Sequence, residues 1–493
     1  MAGCRWGFAM VRALGAESES LPFDVIVIGA GINGAGIARD AAMRGLRVLL
    51  IDKGDIASGT TSWSTRLIHG GLRYLEHAEF SLVRESLRER EYLLHNAPHL
   101  VKPLPLVLPI YREARRGPFM IRAGMVLYDM LSYDKTLERH HMLNRKQTLK
   151  REPGLDPKGL RGGALYYDAQ VTFPERLAVE NVLSAHQHGA TVLTYTRADR
   201  LLTEGAVVRG IEMTDLLSGQ HSTVRGKVVV NVAGPWVDQV LTGENVDEKR
   251  MIGGTKGSHL VVNPFPDAPK DAVYYEARSD GRAIFIVPWN ERYLIGTTDI
   301  RFTGDLDDVR ADESEIAYLI REANALIPSA SLTEEDVLYS YSGVRPLPYK
   351  PEGEAGAITR QHIIHNHAPR LRGLFSIIGG KLTTYRSLAE EAVDEICERL
   401  GVDAKSRTAT TRLPGAAGVA YDTFRKQFIE ESGLPSEVAG RLVGLYGVRA
   451  NDVTALTEQN PELAIPFDPN SGAIAAEIVF AFEHEDAQTL EDA

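Results

Sequence analysis

Residues 23–55, FDVIVIGAGINGAGIARDAAMRGLRVLLIDKGD, decide how this chain folds. Residues 25–28 form a short, wholly apolar run, as a parallel strand buried on both faces requires. Gly29, Gly31 and Gly34 then spell G-x-G-x-x-G where that strand must turn into a helix. The helix is predicted to run to about Arg44, with Gly45 as its stop. LRVLLID reads as a second strand ending on Asp52, at the distance where an acid meets a ribose hydroxyl. Glycines alone also punctuate purely structural loops, but here strand, helix, second strand and terminal acid agree. The unit reads as a dinucleotide cradle, in which free N–H groups and a positive dipole end face a pyrophosphate.

Working outward, the same logic recurs. PERLAVENVLSAHQHGATVLTY is predicted as a helix with Pro174 in its first turn, followed by a strand. AVVRGIEM and KVVVNVAGPWVD are further strands, the second running into Ala233 and Gly234. GLFSIIGGKLTTYRSLAEEAVDEICERL is a strand, a Gly379-Gly380 turn and a long helix. One sheet assembled from separated pieces is therefore expected. The fold class is α/β with an α+β cap: a discontinuous Rossmann-like domain from residues 21–78, 158–240 and 353–400, and an antiparallel-sheet substrate cap from 79–157 and 241–352. A small helical C-terminal domain occupies 401–493, and residues 1–20 are set aside as a tail.

Composition narrows the function. The 493 residues exceed one simple domain, and a net charge of −11 lacks the basic footprint of a nucleic-acid binder. The two cysteines, Cys4 and Cys397, form no disulfide framework, and no metal-ligand spacing is found. No run of 18 apolar residues is present, so no spanning helix is expected. Arg5 and Arg12 give the first residues at most a weak targeting character.

The glycine fingerprint does not separate NAD from FAD. The return to the same domain near residue 380 favours FAD, as does the Ser-, Thr- and Gly-rich stretch after Asp52, IASGTTSWSTRLIHGGLRYLE. Its hydroxyls and backbone suit a loop along an extended cofactor. A second helix N-terminus after Gly380 suits the negative charge a reduced flavin gains. Besides Gly29, Gly31, Gly34 and Asp52, the expected cofactor contacts are Ser62, Thr65, Leu67, His69, Gly70, Ala233, Gly234, Gly380, Lys381, Leu382, Thr383 and Thr384.

Assembled in order, IGAGINGAGIARDAAMRGL, SWSTRLIHGGLRYLE, NVAGPWVD, KGSHLVV, PWNERYLIGTTD, YSGVRPL, ITR and GGKLTTYR resemble the FAD-dependent glycerol-3-phosphate dehydrogenases, within the D-amino-acid-oxidase-like flavoproteins. The resemblance spans residue 22 to near the C-terminus. There is no D-x-D-x-D-G calcium loop, so the bacterial type is the nearer match. The C-terminal domain is expected to be shorter than in relatives. The implied reaction takes sn-glycerol 3-phosphate to dihydroxyacetone phosphate, with hydride passing from C2 to flavin N5 and electrons then to a quinone. A glycerol-3-phosphate oxidase, an amine or amino-acid oxidase, and a non-catalytic flavin-binding protein are the rival readings.

Such a site must hold a phosphate dianion and accept a proton. Arg73, Arg345, Arg360 and Lys381 are the expected cations, with Tyr74 beside them; a surface salt bridge is the competing reading for each arginine. Gly70 and Gly71 are expected to let backbone pass close to the cofactor. His259 is the candidate base, because imidazole titrates near neutrality; His69 is expected along the flavin. Arg73, His259 and Arg345 are the expected catalytic set. Arg112, Arg115, Arg116 and Arg122 around Phe119, Met120 and Ile121 suit an anionic bilayer surface. A cytoplasmic protein attached to the inner face of the cytoplasmic membrane is expected, with a homodimer as an open expectation.

Overall fold

The computed structural model describes residues 15, 17–242, 250–351, 358–468 and 471–493. Its first sheet runs in the order Ile363–Asn366, Leu374–Ile378, His221–Asn231, Phe23–Ile28, Val48–Ile51, Thr191–Leu193. Every neighbouring pair from Leu374–Ile378 onward is parallel, and Ile363–Asn366 is an antiparallel edge. Phe23–Ile28 lies centrally, with Val25 paired to Val228 on one side and Val48 on the other. Flanked on both edges and covered on both faces, its Val25–Ile28 run carries only apolar side chains, and the one polar residue, Asp24, stands at the strand's start and accepts from the Arg47 amide at 2.8 Å. Helices Ile32–Met43, Pro174–Gln187 and Tyr385–Leu400 contribute to one core with these strands. Strands Thr196–Glu204 and Val207–Asp215 form a hairpin that extends His221–Asn231.

The second sheet has ten strands. Its main path is Ile300–Arg301, Thr255–Val262, Arg292–Gly296, Ala283–Trp289, Ala272–Glu276, Val101–Tyr111, Leu160–Val171, Leu67–Ile68. Val337–Arg345 joins Thr255–Val262, and His141–Asn144 joins Leu160–Val171. Pairing is antiparallel except between Ala272–Glu276 and Val101–Tyr111.

Three expectations need correction. Leu160–Val171 lies in the 158–240 segment expected in the nucleotide domain. It instead pairs along Val101–Tyr111 from Val171 to Leu160, and so belongs to the cap sheet. Leu93, Ala97, Leu100 and Val101, assigned to the cap, are buried in the nucleotide core, so the helix Phe80–Asn96 bridges the two units. The tail also does not stand apart: residues 17–20 are helical, and buried Ser18 accepts a hydrogen bond from the Arg225 amide at 3.1 Å. Glu17 and Glu19 pair with Arg47 and Arg225. Cys4, Arg5 and Arg12 lie outside the described residues.

The C-terminal unit has its own core around helices Tyr421–Glu431, Ser436–Tyr446, Ala450–Gln459 and Ala475–His484. Charge anchors it to the nucleotide domain. Arg176 Nη2 donates to Glu485 at 2.8 Å, Arg449 pairs with the same carboxylate at 2.6 Å, and the Gly415 amide donates to Glu180 at 2.7 Å.

Candidate active site

The cofactor cradle forms where three strand ends meet. Gly29 takes φ +111°, and a Cβ there would lie 2.7 Å from Val232 O and 3.2 Å from Ala233 Cα. This turn therefore abuts the Ala233-Gly234 turn. At Gly34 a Cβ would collide with Gly29 O, so the helix can follow the turn this tightly only with glycine. Asp52 reaches back into the turn: the Ala30 amide donates to its Oδ2 at 2.6 Å and the Gly54 amide to its Oδ1 at 2.9 Å. Burial raises its pKa, against those two bonds.

Asn33, in the first helical turn, donates to Gly379 O at 3.4 Å, and its buried Oδ1 has no hydrogen-bond partner. The last strand's Gly379-Gly380 turn therefore closes the cradle. Lys381 precedes the turn Leu382–Thr384, which leads into the helix Tyr385–Leu400. Thr384 makes no capping bond; Thr383 Oγ1 instead accepts from the His69 amide at 3.2 Å and lies 3.3 Å from His69 O. Thr61, not among the expected contacts, accepts from the Ile32 amide at 3.0 Å at the helix start. Ser62 spends its proton on Ala57 O. A glycine cradle, an orphaned amide oxygen and two converging helix starts fit an extended dinucleotide carrying a ring system.

Beside the cradle, on the cap sheet, opens a cavity of about 640 Å³. Arg73, Tyr74, Arg345 and Arg360 line it, brought from three distant stretches of chain. Asp299 bridges two of them, at 3.2 Å from Arg345 Nη1 and 3.5 Å from Arg360 Nη2. Thr297 and Thr255 also accept from Arg345, at 3.1 and 3.4 Å, so its fork is held in place. Asp299 closes the motif PWNERYLIGTTD and was not among the expected site residues. Lys381 stands one layer behind: its Nζ donates to Ser86 at 2.7 Å and lies 4.6 Å from the Tyr74 ring centroid. Burial lowers its pKa to about 8.

His259 is buried, stacked 4.8 Å from the Tyr341 ring, with Nε2 2.9 Å from Thr65 Oγ1. Thr65 and His69 line the cavity. Burial, then Arg345, holds His259 down to about 3, and burial, then Lys381, holds His69 at about 4. Both rings are neutral at pH 7.

The glycine pair has a different reason from the one expected. A Cβ on Gly70 would strike Tyr128 Oη and Leu87, and one on Gly71, at φ +77°, would strike the Tyr74 ring. The close approach is to protein. The basic patch also divides. Arg115 lines the cavity, and Arg116 pairs with Glu76 and, at 2.5 Å, with Glu276. Arg112 and Arg122 stay exposed beside Phe119 and Met120, the former 87% exposed. Among the described residues no helix is long and apolar enough to cross a membrane.

A glycine-turn nucleotide cradle with a cation-lined cavity on a capping sheet defines a flavoprotein oxidoreductase. Residues 24–386 match the family described as FAD dependent oxidoreductase, and residues 406–493 match the C-terminal domain of alpha-glycerophosphate oxidase. The chain is 50% identical over 490 residues to a glycerol-3-phosphate dehydrogenase of Synechocystis sp., covering 97% of this chain and 88% of that one. It is 35% identical over 477 residues to an aerobic glycerol-3-phosphate dehydrogenase of Staphylococcus haemolyticus, covering 94% and 84%. The crystal structure of the Bacillus halodurans glycerol-3-phosphate dehydrogenase complexed with FAD superposes with a TM-score of 0.78 at 32% identity, over 96% of this chain and 85% of that one. The chain belongs to the FAD-dependent oxidoreductases and, within them, to the glycerol-3-phosphate dehydrogenase family.

Proposed function

We propose that the protein oxidises sn-glycerol 3-phosphate to dihydroxyacetone phosphate and passes the electrons to a membrane quinone. The observation that carries this reading is the convergence of Arg73, Arg345 and Arg360 on one cavity. A substrate carboxylate needs fewer cations; a phosphate dianion suits three guanidinium forks. FAD, when bound, supplies the acceptor for the hydrogen leaving C2. The chain's own residues do the rest. Arg73, Arg345 and Arg360 grip the phosphate, Tyr74 packs beside the glycerol carbons, and Lys381 adds charge from behind. Thr65 stands between the cavity and His259, its hydroxyl 2.9 Å from Nε2. With burial and Arg345 holding that ring at about 3 instead of near neutrality, His259 serves as a neutral hydrogen-bonding partner that orients Thr65 against the C2 hydroxyl. Ser62, Thr65, Leu67, His69 and the 380–384 turn line the cofactor.

Exposed Phe119, Met120, Val126 and Met130 on the helix Pro118–Leu131, with Arg112 and Arg122, support peripheral contact with the inner face of the cytoplasmic membrane. The match of residues 406–493 to an oxidase domain favours a second reading, with oxygen as acceptor. Turnover of glycerol 3-phosphate with a soluble quinone analogue, with peroxide measured in parallel, tests both. Dihydroxyacetone phosphate formed at a rate that follows quinone supports the dehydrogenase; stoichiometric peroxide without quinone replaces it by the oxidase.

A further inference from the structure

Asp168, on the strand Leu160–Val171, is 1% exposed and lies at the cavity wall. A carboxylate there costs several kcal/mol of lost hydration unless its oxygens are paired. Its partners come from three other parts of the chain. Arg90, on the helix Phe80–Asn96, donates to Oδ1 at 2.6 Å, and Tyr128, on the helix Pro118–Leu131, lies 2.8 and 2.9 Å from the two oxygens. The Gly70 amide donates to Oδ1 at 3.2 Å. Arg90 is itself held by Tyr167 O and Glu91, each at 3.1 Å.

We propose that Asp168, clamped by Arg90 and Tyr128, is a positioning residue for the phosphate site: its carboxylate holds the Gly70 amide, and that turn sets where Arg73 and Tyr74 stand. The backbone here is gripped from both sides. Thr383 holds the His69 amide from the cofactor side and Asp168 holds Gly70 from the cap side. Gly70 fits against Tyr128 and Leu87 only because it lacks a Cβ, so the turn cannot shift toward the cap. Three residues on, Arg73 enters the cavity. The arrangement makes the anion necessary in a place where charge alone argues against it. A negative group near the cations that bind a dianion weakens that binding by simple Coulomb repulsion. Removing the charge and removing the clamp therefore act with opposite sign.

The proposal rests on the phosphate reading of the cavity, and Asp168→Asn in the holoenzyme tests it. A carboxamide keeps the volume but turns an NH2 toward donors that now face oxygen. The expected result is a KM for glycerol 3-phosphate about tenfold higher, with the inhibition constant of inorganic phosphate raised by the same factor. Flavin per chain and kcat should stay near wild type, and amide exchange over residues 69–76 should quicken. Unchanged or improved KM and phosphate inhibition, with unchanged exchange, overturns the proposal. Tyr128→Phe removes one hydroxyl and should shift the same quantities the same way, by about threefold. If Asp168→Asn does not assemble with flavin, Tyr128→Phe decides alone, and wild-type KM and exchange there overturn it. A wild-type enzyme that neither turns over glycerol 3-phosphate nor binds phosphate defeats the functional reading; the exchange comparison then judges Asp168 separately.

Discussion

At the scale of single residues, the site is a balance of burial against charge. Arg345, its side chain 25% exposed, stands beside Arg73 and Arg360 with Asp299 and two threonine hydroxyls holding its fork in place. Arg345→Ala should raise KM for glycerol 3-phosphate by about 10- to 150-fold, the worth of a lost charge-assisted pair, while flavin content is unchanged. Steady-state kinetics with flavin absorbance on the same sample checks both. Lys381 makes a second prediction. Its ammonium loses its proton as pH rises through about 8, where a free lysine would hold it to about 10.5. Binding that uses that charge is complete below 8 and fades above it. KM for glycerol 3-phosphate should therefore climb above pH 8, and Lys381→Met should flatten that alkaline limb while raising KM at pH 7. A limb that persists unchanged in the variant assigns it elsewhere.

At the scale of elements, the first βαβ unit was the most legible part of the molecule, because every feature of it is local. A doubly buried strand, a glycine turn and a helix packed on that turn leave a pattern within thirty residues. Gly34→Ala should empty the enzyme of flavin, since its Cβ would meet Gly29 O; purified protein without yellow colour is the expected outcome. The cap was less legible. Leu160–Val171 contains Gly162 and Gly163 and earns its place only by pairing with Val101–Tyr111, a long-range ladder that no periodicity announces. Arg116 misled for a related reason: an arginine in a basic run looks solvated until the acids facing it are known. Glu76 and Glu276 come from other elements. A membrane test should therefore spare Arg116, and also Arg115, which lines the cavity. Phe119→Ser with Met120→Ser should cut flotation with anionic liposomes sharply and leave turnover with a soluble acceptor near wild type. Equal flotation would remove the helix Pro118–Leu131 from the membrane account.

At the scale of the whole molecule, substrate recognition depends on segments that only the complete fold brings together. Arg73 follows the first βαβ unit, Arg345 ends a cap strand, and Arg360 precedes the edge strand Ile363–Asn366 of the nucleotide sheet. The sequence held each motif, but only the two-sheet architecture puts the three on one cavity. The C-terminal unit is tied in by a charge knot: Glu485, with a side chain 4% exposed, pairs with both Arg176 and Arg449. Glu485→Ala strands two guanidiniums and should cost about 3–5 kcal/mol, read as a lower calorimetric Tm. The measurement that reaches the central claim is anaerobic mixing of the holoenzyme with glycerol 3-phosphate or with glycerol, followed by flavin absorbance. A cation-lined cavity built for phosphate predicts rapid bleaching by glycerol 3-phosphate and a flavin left oxidised by glycerol at the same concentration. Equal bleaching by both, or none by the phosphorylated compound, would contradict it.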